Sequence, residues 1–311
     1  MQKLKVKKND SGQRLDIFLT DKLNLSRSKV QKLIKRGAVL VNDKVVSAHY
    51  TIQENDKIYP VKSRQGGDFA ESKIISQGKL PKFKIISETD DYLVINKPAG
   101  VIVHGGEGIN KPTLTDALEK KYPAIKKIGE DPLRPGIVHR LDKEASGLMV
   151  IAKNNKTFDH LKEQFKKRAI LKKYLALVHG RTEKENDEID FPISRSAKGY
   201  KMAARPNNQG GRRAITDFAV KQNFINYTLL EVAIKTGRTH QIRVHLSAYG
   251  QPVVGDDLYG NKKTRAQNAK LKLKRIFLHA YILGFYDLRG KWQEFKIELP
   301  VELKKILKNV K

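Results

Sequence analysis

Residues 136–154 read GIVHRLDKEASGLMVIAKN, and this stretch constrains the chain more than any other. Ile137 and Val138 lead into a polar knot, His139-Arg140-Leu141-Asp142-Lys143-Glu144. The small residues Ala145-Ser146-Gly147 follow, then a second apolar run over 148–152. Apolar runs separated by such residues predict strand, exposed turn, strand. The turn presents one aspartate, Asp142, with Arg140 and Lys143 beside it in sequence, and neighbouring positive charge favours an ionised carboxylate.

That aspartate sits in a chain suited to a polyanion. Lys and Arg number 62 against 33 Asp and Glu, a formal net charge of +29. Such an excess repels itself in the folded state, and a strongly anionic partner offsets it, nucleic acid first. A lysine-rich proteome is the plainer source of the same charge. The basic residues are spread over the whole chain, and no segment approaches the ~20 apolar residues of a membrane span. The start, MQKLKVKKND, lacks the apolar stretch of a secretory signal. With no cysteine there are no disulfides, thiolate metal sites or thiol redox chemistry. The expectation is a soluble, cytoplasmic protein, monomeric because no heptads or apolar surface helix stand out.

The 311 residues divide into three stretches. Residues 1–62 carry 14 Lys and Arg against 6 Asp and Glu. Asp10-Ser11-Gly12 opens a helix with Leu15, Phe18, Leu19 and Leu23 on one face. Ser26 and Gly37 bound a second helix whose outer side shows Arg27, Lys29, Lys32, Lys35 and Arg36. Residues 39–46 read as strand, tight turn, strand. A solvated helix face is the plainer reading of those cations. Residues 63–81, rich in breakers and without periodicity, read as a linker. Residues 82–311 form the second domain.

In that domain strands are expected at 84–87, 92–96, 101–103, 171–178, 214–220, 227–234 and 276–285, and helices at 113–121, 155–168 and 240–248. Residues 198–213, basic and glycine-rich, read as a mobile loop. Strands and helices mix without regular alternation, which predicts an α+β fold with a mixed, mainly antiparallel central sheet beside a small N-terminal α/β domain.

Three places can carry chemistry. Asp142 is one, although an aspartate after a strand is most often a cap or turn residue. Pairing it with Glu144 in the manner of a glycosidase fails, because residues two apart are not brought face to face across a bond by an extended segment. Tyr174, in Lys172-Lys173-Tyr174, is by default half-buried core; it can also stack on a base, or exchange a proton if its pKa is lowered. In residues 235–246, KTGRTHQIRVHL, the residues Lys235, Arg238, His240, Arg243 and His245 crowd a turn and a helix start. That arrangement suits phosphate or a carboxylate, or is simply a basic surface helix. His240 and His245 diverge on a helix and lack completing ligands, so no metal is expected.

Two resemblances add to this reading. The order SRSKVQKLIKRG then VLVNDKVV is similar to the small RNA-binding domain named after ribosomal protein S4, over most of residues 12–60. It implies that Arg27, Lys29, Lys32 and Arg36 lie on or near an RNA-facing helix. HRLDKEASGLMVIAK, with LVINKPAGVIVH before it and KKYLALVHG and GRTHQIRVHL after it, resembles the RluA-type family of pseudouridine synthases over about 82–290. The family usually has threonine where Ala145 stands. This resemblance implies the pseudouridine synthase fold and isomerisation of uridine in RNA, without cofactor or metal. Large-subunit ribosomal RNA is the expected substrate, transfer RNA the alternative, and an RNA- or ribosome-binding protein without catalysis the rival of another class. It also implies Asp142 as the catalytic aspartate, Tyr174 as a tyrosine that stacks on the base and assists proton removal, and Arg243 as the basic partner of the aspartate. By the same resemblance Arg140 fills the space of the displaced nucleotide, while Arg238 and His240, from the basic cluster, are expected to contact RNA. Leu148, Ile234 and Ile242 are the expected apolar walls.

Overall fold

The computed structural model describes residues 4–23, 25, 27–35, 37–60, 78–105, 109, 111–196, 201–206 and 209–310. The chain divides into two compact units, Met1–Ile75 and Ser76–Lys311. That cut falls inside the stretch read as a linker, whose residues 63–77 lie outside the described residues.

In the first unit β1 (Leu4–Lys5) precedes α1 (Leu15–Leu23) and α2 (Arg27–Lys35), and β2 (Val39–Val41) and β3 (Lys57–Pro60) complete it. Leu15, Phe18 and Leu19 recur at helical spacing and close with Val30 and Ile34 on Val39, Val41, Ile52 and Ile58. Gly37 ends α2 at φ +66, a conformation that costs glycine little. Asp16, buried in the first turn of α1, accepts from Arg14, Arg27 and Gln31. Burial alone would raise its pKa, but these donors outweigh it and hold the carboxyl well below the usual carboxylate range.

The hairpin expected over 39–46 is corrected. Asn42 and Asp43 do turn the chain, both at positive φ, yet Val41 and Lys44 make only a single bridge. The true partner of β2 is β3, and the sheet order is β1-β3-β2. Ile58 brings a buried side chain to that pairing, whereas Val45 is 66% exposed and offers none.

The second unit runs β4 (Lys84–Glu88), β5 (Tyr92–Lys97), α3 (Leu114–Lys121), β6 (Ser146–Ala152), α4 (Asn155–Lys167), β7 (Leu171–His179) and β8 (Asn186–Asp190). It continues with β9 (Ile193–Arg195), β10 (Met202–Ala204), β11 (Ile215–Asn223), β12 (Tyr227–Ile234), α5 (Gln241–Ala248), α6 (Lys262–Leu271), β13 (Leu278–Tyr286), β14 (Trp292–Lys296) and α7 (Val301–Asn309). One sheet joins β4-β5-β6-β13-β7-β12-β11-β8, with β14 also on β13. Only β6 and β13 run parallel; every other pair is antiparallel. The fold is therefore α+β with a mixed, mainly antiparallel sheet.

Two expectations change here. Residues 101–103 are not a strand: the carbonyls of Ile102 and Val103 accept from Leu114 and Thr115 at the start of α3, so that backbone is satisfied by a helix end. Within 198–213, residues 202–204 form β10, paired with β9; 198–200 and 207–208 lie outside the described residues. Val244 of α5 and Tyr259 pack with Met202 and Ala204 of this small hairpin.

One row across the sheet determines the surroundings of Tyr174. Gly147 of β6, Ala280 of β13, Tyr174 of β7 and Val232 of β12 stand side by side in register. Neighbours in register share a face. Gly147 sits at φ +124, and a Cβ there would lie 2.2 Å from the Ala280 oxygen. Gly147→Ala must push β6 off β13, and a loss of about 3 kcal/mol or more in unfolding free energy is expected. Urea denaturation measures it, and a loss under about 1 kcal/mol would mean that the two strands separate cheaply.

Candidate active site

Asp142 lies between a single antiparallel bridge, Ile137 to Ile151, and the start of β6. Gly136 makes the approach possible: at φ +69 it accepts from Ala152 N–H, and a Cβ there would meet that residue's oxygen at 2.6 Å. The turn closes through Ala145 N–H to Asp142 O at 3.2 Å, a backbone bond that needs no hydroxyl at position 145. Gly100 N–H donates to Lys143 O at 2.8 Å. Lys97, fully buried, donates from Nζ to Pro98 O, Val101 O and Lys143 O. Beyond the turn, Ser146 Oγ bonds His279 Nδ1 and accepts from Arg275 Nη2, both at 2.7 Å. Burial pushes His279 down to about 4, so it is neutral at physiological pH.

The partner of Asp142 arrives from a hundred residues away. Arg243 Nη1 lies 3.3 Å from Asp142 Oδ2. The rest of its guanidinium is gripped by Asp256, Nε to Oδ2 at 2.6 Å and Nη2 to Oδ1 at 3.0 Å. Asp256 is 1% exposed, Arg243 6%. Asp256 Oδ1 also accepts from Leu258 N–H and Tyr259 N–H, and the Tyr259 ring lies 5.0 Å under the guanidinium carbon. Burial works against the Arg243 charge, but Asp256 outweighs it and Asp142 adds to it, so the guanidinium sits above its ordinary value. A bidentate pair with a buried carboxylate fixes an arginine's plane. Asp142, with its side chain 17% exposed, is held on one oxygen by a cation that cannot turn.

α5 is aimed by its first residues. Gln241 donates to Ile215 O and Thr216 Oγ1 and accepts from Thr236 Oγ1 and Arg238 N–H, which locks the preceding loop to β11. His240 takes φ +56, and its Nδ1 meets the Tyr259 hydroxyl at 2.9 Å. Burial lowers the His240 pKa, and the charge of Asp142 opposes the fall. Tyr174 is 5% exposed. Burial, then the charge of Asp142, pushes its phenol far above the usual value. The lowered pKa that would let it exchange a proton at rest is thus absent.

Asp142, Tyr174, Arg243 and His240 are therefore brought together, with Arg140 beside them. The sequence neighbours expected to charge-pair with Asp142 are engaged elsewhere. Arg140 is exposed, and its Nη1 donates to His104 Nε2 at 3.2 Å, while Lys143 pairs with Glu144. The crowd expected over 235–246 also disperses. Lys235 pairs with Glu188 and Asp217, and Arg238 Nε donates to Arg213 O. His245 is buried against Thr216 and Phe191 O. Leu148 and Ile242 are core residues, and Ile234 is half-buried. Glu144 lines a cleft of about 490 Å³ together with Arg275, Glu302 and Lys305. In the first unit Arg27 is tied to Asp16 through Nε; Arg36 and the side chains of Lys29 and Lys32 lie outside the described residues. Among the described residues no group of His, Cys, Asp and Glu could hold a metal ion, and no helix is long and apolar enough to cross a membrane.

Sequence reasoning missed Asp256, Tyr259, Lys97 and His104. Lys97 had a legible signal, a lysine ending an otherwise apolar strand. Burial pushes it down to about 7 from 10.5, Arg275 adds to the fall, and Asp142 and Glu144 oppose it. Between those two values the unfolded chain keeps a proton that the folded chain has released, so this group makes stability rise with pH across the window. Below about 7 both states are protonated and the cost of the buried ammonium is felt in full. Relative to Lys97→Met, the wild type is expected to gain on the order of 3 kcal/mol between pH 7 and pH 10. Urea unfolding at the two pH values checks this, and a difference that ignores pH would mean an ordinary lysine.

Residues 91–248 match the family model described as RNA pseudouridylate synthase, and residues 13–58 match the S4 domain. The chain is 36% identical over 303 residues to the uncharacterized RNA pseudouridine synthase YlyB of Bacillus subtilis, spanning 96% of this chain and 95% of that one. It is 32% identical to ribosomal large subunit pseudouridine synthase C of Haemophilus influenzae, over 99% and 94% of the two chains. The solved human RNA pseudouridylate synthase domain containing 1 aligns with a TM-score of 0.58 at 27% identity, over 72% of this chain and 86% of that one. Asp142, Tyr174 and Arg243 all fall inside the matched 91–248. The chain belongs to the RNA pseudouridylate synthase family, in its RluA-type branch with an S4 domain, and is an enzyme that isomerises uridine in RNA.

Proposed function

We propose that the protein converts uridine to pseudouridine in large-subunit ribosomal RNA, with Asp142 as the reacting carboxylate. The observation that carries this reading is the arrangement of one part-exposed carboxylate on Arg243, an arginine already immobilised by a buried second carboxylate, beside a buried tyrosine ring. The relatives named as ribosomal large subunit pseudouridine synthase C, together with the S4 match, support ribosomal RNA as the substrate.

The reaction breaks the bond between uracil N1 and the sugar, turns the base, and joins its C5 to the same sugar carbon, with loss of the C5 proton. An ionised Asp142 can attack the sugar carbon or remove a sugar proton to give a glycal; both routes start from the charged form. Arg243 touches only Oδ2 and leaves the other oxygen for the sugar. The target base must leave its stack at a cost of a few kcal/mol, offset by stacking on Tyr174 and by Arg140 in the vacated space. Tyr174 begins protonated. Once Asp142 has given up its charge to the substrate, one of the two causes that raise the phenol's pKa is gone, and the tyrosine becomes a better participant in removal of the C5 proton.

Tritium released from C5-labelled uridine in large-subunit ribosomal RNA tests the reading. Asp142→Asn is expected to lower release by about 10⁴-fold or more with RNA affinity unchanged. Wild-type release only from transfer RNA would move the substrate, and no release from any RNA would remove Asp142 from the chemistry. Asp256→Asn is expected to lower kcat on the order of 10²-fold at constant Kd, because Arg243 then loses its fixed plane. An equal fall in kcat and in folded fraction, followed by thermal melting, would reduce Asp256 to a purely structural residue.

A further inference from the structure

Arg140 is held by an acceptor that carries no charge. Its Nη1 donates to His104 Nε2 at 3.2 Å. The other side of the imidazole fixes the tautomer: His104 Nδ1 lies 2.8 Å from Gly105 O. A carbonyl oxygen only accepts, so Nδ1 carries the proton, and Nε2 keeps the lone pair that Arg140 uses.

The ring stands on backbone that is tied down on the way to it. Lys97 Nζ donates to Pro98 O and Val101 O, and the carbonyls of Ile102 and Val103 accept from Leu114 and Thr115 at the start of α3. Val103 is 2% exposed and His104 7%, whereas Arg140 is exposed. A fixed, buried acceptor thus anchors one arm of a surface arginine, and among the described residues Nε and Nη2 of that arginine stay unused. A carboxylate in the place of the ring would hold Arg140 too, but would offset its charge. Arg134 shows that case, with its Nε 3.5 Å from Asp131 Oδ2. Imidazole orients the guanidinium and leaves the charge whole for RNA.

We propose that His104 is a positioning residue for the isomerisation: it aims Arg140, charge intact, at the space that the target base leaves. The inference rests on Arg140 filling that space, and adds the group that makes it ready beforehand. A side chain already oriented loses less freedom when the base turns out, so the extruded state is more populated. Burial holds the His104 pKa below the ordinary 6.5; Gly105 O opposes the fall, Arg134 and Arg140 add to it, and Asp131 opposes it. The neutral ring is therefore the form present at neutral pH. Acid that protonates Nε2 sets two positive groups face to face and releases Arg140.

The test is a double-mutant cycle on the full-length protein. Tritium release from C5-labelled uridine gives kcat, in unmodified large-subunit ribosomal RNA or, if only that reacts, in transfer RNA. Arg140→Gln is expected to lower kcat; an unchanged kcat would remove Arg140 from base displacement, a failure of the reading beneath the inference. His104→Leu should lower kcat on the order of 10-fold with Kd for RNA nearly unchanged, and by less than about 2-fold in the Arg140→Gln background. An equal loss in both backgrounds, or no loss in either, would overturn the inference. His104→Gln keeps an acceptor near the position of Nε2 and should retain most of kcat. Because Gln does not titrate, the ratio of its kcat to that of the wild type should rise as pH falls below 6.5. A His104→Gln variant as slow as His104→Leu, or a ratio that ignores pH, would overturn the inference. That arm decides even where thermal melting shows His104→Leu to be unfolded.

Discussion

A single guanidinium shared unequally between two carboxylates governs the second unit. Removing an arginine from water costs several kcal/mol, and one carboxylate with imperfect geometry does not recover that cost. Asp256 takes two short bonds from Arg243 and is itself satisfied by two backbone N–H groups, so the pair is stable without Asp142. Only the third, longer contact reaches Asp142. The inequality has a chemical meaning. If Asp142 held the arginine alone, it would be neutralised by it and would make a poor nucleophile or base. With Asp256 taking most of the guanidinium's hydrogen-bonding capacity, Asp142 is oriented by a fixed cation while one oxygen stays available.

The sheet makes that contact possible by bringing residues far apart in sequence to one place. Asp142 precedes β6, Tyr174 lies on β7, and Arg243 stands in α5. β13, from late in the chain, is inserted between β6 and β7. The register of that insertion puts Gly147 and Ala280 beside Tyr174. Glycine at 147 is a packing requirement there, because the Ala280 backbone leaves no space for a Cβ, and the charge of Asp142 is felt at Tyr174.

Legibility in the sequence followed how local each signal was. β6 was readable because every residue of it is buried, which makes 148–152 an unbroken apolar run. α4 was readable from the spacing of Phe158, Leu161 and Phe165, and the structure adds Asn154 as its cap. The turn at Asn42-Asp43 was read correctly, but the strand that follows it in sequence was not the strand that pairs, because turn chemistry fixes a reversal and burial chooses the partner. β8 and β14 escaped notice because Asn186–Asp190 and Trp292–Lys296 are largely polar edge strands. Asp256 gave no signal at all. Nothing in Gly255-Asp256-Asp257 says which of two aspartates will be buried, and only the fold brings one of them to Arg243.

The same distinction applies to charge. A net +29 pointed to an anionic partner, but composition cannot separate cations that serve the fold from cations that serve the substrate. Arg14 and Arg27 hold Asp16, Arg243 holds two carboxylates, and Lys97 caps three carbonyls inside the core. Each of these is a positive charge that burial or pairing has withdrawn from RNA to a large degree. Arg27 shows the consequence: the resemblance implied an RNA-facing residue, yet its Nε is committed to Asp16, so it can offer a phosphate only the terminal nitrogens of an arginine already fixed in place. A cation pinned in that way loses less conformational entropy on binding than a free one, and neutralises less charge.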